Sequence, residues 1–145
     1  MEIRNEEVIN DPLDELIVDD MKSLDINLLA NILKEHLTLT KNGEVNYRDS
    51  FHDYKQWKRM MVYLLARKAI SIKKLKDIKE KATYKEISDG ALMPVDSIGR
   101  TSIDNLRGIV KKDEEGLYIP NYNLIRCKQI LDGKQKIPTQ IKKIR

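Results

Sequence analysis

The chain has 145 residues, 41% apolar and 34% charged, with a formal net charge of +4. That length suits a single domain, which buries about two-thirds of its unfolded surface and folds without a metal or a disulfide. The longest unbroken apolar run, Met60 to Ala66, falls far short of the roughly twenty residues of a membrane helix, and Cys127 is the lone cysteine, which excludes an internal disulfide, a CxxC redox pair and a cysteine-built zinc site within one chain. No repeat of domain-building length occurs.

The opening residues, MEIRNEEVINDPLDE, are acidic and lack the apolar core of a secretory signal or the basic character of a transit peptide, so a cytoplasmic protein without a membrane partner is expected. Residues 1–25 hold nine acids and two bases, a net of −7, and residues 1–22 read as an acidic N-terminal segment. Asp11 and Pro12 form a helix start, followed by Leu13, Leu16, Ile17 and Met21 at helical spacing. Ser23 or Asp25 can cap the next helix, whose stripe is Leu28, Leu29, Ile32, Leu33 and Leu37, ending near His36. Residues 38–48, TLTKNGEVNYR, alternate apolar and polar around Asn42-Gly43, the strongest short hairpin signal.

Asp49 or Ser50 can cap a long helix through Phe51, Tyr54, Trp57, Met61, Leu64, Leu65 and Lys68, with Lys55, Lys58, Arg59 and Arg67 toward solvent. A lysine-rich stretch follows, with Ile72, Leu75 and Ile78 at helical spacing. Residues 26–145 carry a net of +11, and residues 55–85 alone hold eleven bases against two acids. A basic body of this kind attracts polyanions, nucleic acid first; as a lysine-rich solvated surface it has no partner.

Residues 83–131 have the clearest pattern. Thr83 and Glu86 make a capping box for a short helix anchored by Ile87, with Gly90 as its left-handed stop. Residues 91–95 are a buried apolar turn. Asp96 or Ser97 caps a further helix to about Arg107, with Ile103 and Leu106 inward and Gly108 at its end. Residues 109–112 and 117–120 read as a hairpin around the acidic tip Asp113-Glu114-Glu115. Asn121 or Asn123 caps a last helix with Leu124, Ile125, Ile130 and Leu131, and Gly133 stops it. Residues 132–145 form a basic tail; from Lys134 onward it has five bases and no acid.

This order of helix, turn, helix, hairpin and helix resembles the winged helix-turn-helix DNA-binding proteins, among them small archaeal or virus-type transcriptional regulators. Thr83-Tyr84-Lys85-Glu86-Ile87 stands in the place of the family's T-x-x-E-I-A helix, residues 97–106 in the place of its recognition helix, and residues 109–112 and 116–119 in the place of its wing. The resemblance implies a mainly α fold with small β-hairpins, a winged helix-turn-helix over residues 23–131 with extra N-terminal helices. It implies a homodimer that binds double-stranded DNA sequence-specifically and regulates transcription, with no cofactor and no catalysis. A helix fits the major groove and its outer side chains reach base edges. On that basis the DNA-binding residues are Lys85, Ser97, Arg100, Thr101, Ser102, Asn105, Arg107, Lys111 and Lys112. Gly99 stands where the family has an apolar residue, so Ile98 can fill that place with the register shifted by one. The acidic tip repels phosphate, so either Lys111 and Lys112 on the stem make the contacts or the wing faces away. The leucine stripe at 28–37 is either a dimer element or cover for the domain's own core.

The alternative is a winged-helix scaffold that binds protein without reading DNA, since a fold does not define a function. Neither histidine, His36 or His52, lies in metal-ligand spacing, and both read as surface or helix-end residues. No phosphate loop or nucleophile elbow occurs, so no enzyme is expected.

Overall fold

The computed structural model describes residues 12–13 and 24–138. The acidic segment and most of its expected helix lie outside the described residues. Helix α1 (Ile26–Leu33) starts where Asp25 accepts a hydrogen bond from the Leu28 amide at 2.9 Å. Of its stripe, Leu29, Ile32 and Leu33 are buried with Leu37 in the core, and Leu28 is half-buried against it. The hairpin β1 (Leu37–Leu39) and β2 (Val45–Tyr47) forms as expected, with Leu37 opposite Tyr47 and Leu39 opposite Val45.

The long helix begins later than Asp49 or Ser50 would place it. Residues Asp49–Asp53 form a short 3-10 turn, Tyr54 and Lys55 are extended, and α2 runs over Gln56–Lys73. The cause is an aromatic cluster. Phe51 is fully buried and stacks on Tyr47 at 3.6 Å, while the Tyr54 hydroxyl meets His36 Nδ1 at 2.7 Å. A continuous helix would not carry these rings to both partners. His36, just past the end of α1, is thus a buried, hydrogen-bonded residue, where a surface or helix-end position was expected.

Every residue of α2 from Met60 to Lys68 is buried, so this helix is enclosed on all sides and forms the centre of the core. α1 packs against it and against α5 (Leu124–Leu131). The lysine-rich stretch does not form a second helix. Lys74 adopts a left-handed conformation that ends α2, and residues 74–81 run irregularly to Ala82.

The capping box of α3 (Tyr84–Ala91) is present in both directions: Thr83 Oγ1 accepts from the Glu86 amide, and Glu86 Oε1 accepts from the Thr83 amide. Gly90, however, is inside the helix, and Leu92 takes the left-handed cap. Glycine is needed at position 90 for space, because a Cβ there would lie 2.0 Å from Cε1 of Tyr63 on α2. Of the apolar turn, Ala91 and Met93 are buried, while Leu92 and Val95 are half exposed.

Helix α4 (Val95–Arg100) starts after Pro94, with no side-chain cap from Asp96 or Ser97, and widens into a π turn over Thr101–Asn105. Ile98 and Leu106 face the core, and Ile103 points outward, 59% exposed, against the inward position expected. The second hairpin is shorter than expected: β3 (Lys111–Asp113) pairs with β4 (Gly116–Tyr118). Leu117 also exchanges two backbone hydrogen bonds with Ala82, at 2.8 and 2.9 Å. Gly116, at φ +144°, allows this approach, since a Cβ there would lie 2.3 Å from the Ala82 carbonyl oxygen.

Asn123 precedes α5, but its amide donates to the carbonyls of Gly108 and Ile109 instead of capping the helix. Ile125, expected in the stripe, is 63% exposed, and Cys127 is buried, which pushes its thiol up to about 12. The basic tail is not separate from the fold at its start. After Gly133 the chain turns back on Gln129, and Ile137 is only 2% exposed. Residues 139–145 lie outside the described residues. No described helix is long and apolar enough to cross a membrane.

Gly90→Ala forces Tyr63 to move and is expected to lower unfolding free energy by about 1–3 kcal/mol in denaturant titration. A stability equal to that of the parent would refute the close packing. Burial, helped by the Lys58 cation, lowers the pKa of His36, so on acidification protons bind the unfolded chain first. Stability should therefore fall as pH drops below about 6.5, down to the lowered folded value. Thermal melts at pH 7.5 and 5.5 should show this, and His36→Gln should narrow the difference.

Candidate nucleic-acid interface

Two buried bases determine where the site sits. Arg67 was expected in solvent but is 4% exposed, and Lys68 is 1% exposed. The Arg67 guanidinium donates to the carbonyls of Lys79, Glu80 and Lys81 and to the Tyr63 hydroxyl, and lies 3.6 Å from Glu86. Lys68 Nζ donates to the Glu80 carboxylate and, at 2.6 Å, to Asn121 Oδ1. An isolated cation could not be buried here. Several hydrogen bonds offset its desolvation. Together the two side chains fasten the 79–81 loop to α2, and this loop leads straight into Ala82, the strand partner of Leu117.

The same loop pairs with two of the three acids at the hairpin tip. Lys81 pairs with Asp113, and Lys79 and Lys81 both approach Glu115, at 3.5 and 3.8 Å. The Lys81 ammonium beside Asp113 holds its carboxyl below the usual carboxylate range, and Asp113 in turn raises Lys81. The basic excess of residues 55–85 is therefore partly internal, since Arg59 too donates to the Tyr54 and Ala91 carbonyls. Asp113 and Glu115 of the tip are thus paired, Glu114 is exposed, and the stem lysines remain on the outside.

Tyr84, the first residue of α3, joins three elements. Its hydroxyl is 3.3 Å from where a Cβ on Gly99 would sit, so the glycine lets α4 lie against the ring. Lys112 of β3 lies 5.0 Å from the ring centre and 3.3 Å from the hydroxyl. Tyr84, Ser102, Ile103, Arg107, Val110 and Lys112 line an open cleft between the π turn and the hairpin.

The expected site residues separate into two groups. Lys85, Arg100, Arg107, Lys111 and Lys112 are exposed, and Ser97 and Asn105 are partly so. Lys85 faces Asp89 at 3.3 Å, Arg107 Nε donates to the Ile103 carbonyl at 3.2 Å, and Lys111 lies 5.5 Å from the Tyr122 ring centre. Thr101 and Ser102, expected outward, are 6% and 8% exposed, and Ser102 Oγ donates inward to the Gly99 carbonyl at 2.9 Å. They follow the buried Ile98 by three and four positions and share its face, and Ile103 falls on the opposite one. Tyr84 and Ile103 were missed as site residues. The available signal was Tyr84 following the cap, with Gly99 within reach on the next helix.

Among the described residues, no group of three or more His, Cys, Asp or Glu could hold a metal. Comparisons with protein families, curated proteins and solved structures found no match.

Replacing Lys68 by Met leaves Glu80 and Asn121 without their cation and is expected to cost about 3 kcal/mol, the lower end for a broken buried pair because Glu80 is partly exposed. Adding Glu80→Gln should recover part of that loss in a double-mutant cycle. Strict additivity would mean the two residues do not act together.

Proposed function

We propose that this protein binds double-stranded DNA sequence-specifically as a transcriptional regulator in the manner of winged-helix proteins, with α4 and its π turn entering the major groove. The observation that carries this reading is the cleft that Arg107 and Lys112 line together with Tyr84, on a protein whose α4 also exposes Arg100. Exposed cations attract phosphate, and the exposed face of α4 offers side chains to base edges. The order of α2, Ala82, α3, α4 and the paired hairpin supports the winged-helix assignment. Pairing of Asp113 and Glu115 with Lys79 and Lys81 reduces the repulsion that the tip otherwise presents to phosphate. A homodimer has no surface assigned to it, because the leucine stripe is buried within the subunit.

A second reading is a protein-docking module. Leu92, Val95 and Ile103 are 49%, 47% and 59% exposed around α4, and apolar surface of this kind also suits a protein partner.

Gel-shift titration of the full chain against random duplex separates the two. A salt-dependent shift supports DNA; no shift at low salt and micromolar protein overturns it. With a selected duplex, Arg100→Ala is expected to weaken specific binding by about 1–3 kcal/mol and relax preference at one base pair. Lys112→Ala should weaken all duplexes alike and reduce the salt slope by about one.

A further inference from the structure

We propose that Ile103 is a specificity-determining residue that contacts the C5 methyl group of a thymine in the major groove. The proposal rests on the DNA-binding reading above and names what one position of the helix recognises.

The argument begins with an inversion of polarity. On a helix packed against a core, apolar residues face inward and polar ones outward. Here Thr101 and Ser102 are buried, while the neighbouring Ile103 is 59% exposed. The helix register produces this arrangement: Thr101, Ser102 and Leu106 follow Ile98 by three, four and eight positions and share its buried face, whereas Ile103, five positions on, falls on the far side. The helix ends in a π turn, in which Leu106 donates its amide to the Thr101 carbonyl, five residues back, at 3.1 Å.

Folding does not require isoleucine at this outward position. A polar side chain there would avoid exposing apolar surface, and the core is already filled by Ile98 and Leu106. π turns inserted in α-helices occur often at functional sites, and a local rule broken without a packing gain marks a place where function decides the residue.

The surroundings identify the ligand chemistry. Ile103 lines the cleft with Arg107 and Lys112, and its own carbonyl accepts from Arg107 Nε, which holds the guanidinium beside it. The cleft therefore combines two cations with one exposed aliphatic group. Duplex DNA has the matching combination: phosphates along both groove edges and, on the groove floor, the thymine methyl as the apolar feature. A protein partner with acids flanking an apolar knob would also fit the charge pattern, and the test separates the two.

The test uses the full chain and a duplex selected from a random pool. Each thymine is replaced in turn by uracil, which deletes one methyl and leaves pairing and charge intact. The parent protein is expected to lose about fourfold in affinity at one thymine, the effect of one buried methyl. Ile103→Ala should bind the thymine and uracil duplexes at that position equally. Its melting temperature should match the parent, because the side chain is exposed. The proposal is overturned if every thymine-to-uracil change is neutral for the parent, if Ile103→Ala keeps the discrimination, or if Ile103→Ala lowers the melting temperature strongly. Binding that persists while discrimination is absent refutes Ile103 alone. Absence of any duplex binding refutes the DNA reading itself, and the proposal with it.

Discussion

The arrangement of the molecule depends on two cations buried on one helix. Arg67 and Lys68 lie on the enclosed middle of α2 and have no access to water. Their donors must be satisfied within the protein, and the carbonyls of residues 79–81, Glu80 and Asn121 satisfy them. The irregular loop after α2 is held by these bonds without secondary structure of its own. Ala82 then lies in register with Leu117, and the hairpin is anchored to the body instead of projecting freely. The same loop brings Lys79 and Lys81 to the acidic tip. One buried pair thus sets the backbone position and the surface charge of the hairpin together.

At α4 a different competition decides the outcome. Ile98, Thr101, Ser102 and Leu106, at i, i+3, i+4 and i+8, share one helical face and are all buried. Two polar side chains thus occupy the inward face, while Ile103, five positions after Ile98, falls on the outer one, and the helix ends in a π turn. The buried hydroxyl of Ser102 is satisfied by the Gly99 carbonyl, so the inversion leaves no unpaired serine donor inside. Close approach of Tyr84 at Gly99 then keeps α4 tight against α3 and against Lys112 of the hairpin.

Signals confined to a few neighbouring residues were legible in the sequence. Asp25 caps α1, Thr83 and Glu86 form the reciprocal cap of α3, and Asn42-Gly43 turns the first hairpin, because each depends on hydrogen bonds or backbone angles within about four residues. Helix order, both hairpins and the exposed positions of Arg100, Arg107, Lys111 and Lys112 followed from such signals and from apolar spacing. Gly90 shows the limit. Its small size reads locally as a helix stop, but its cause is Tyr63, twenty-seven positions away, and Leu92 performs the stop instead.

By itself the sequence determined the capped starts of α1 and α3, the two turns that return the chain on itself, and the strong positive charge of the body. Tertiary structure alone decided which of those charges are available. Burial of Arg67 and Lys68 and pairing of Lys79 and Lys81 arise from residues far apart in the chain. Periodicity reports only which side of an isolated element is apolar. A buried cation is set by what the other elements bring to it, through desolvation, hydrogen-bond satisfaction and the volume left in the core.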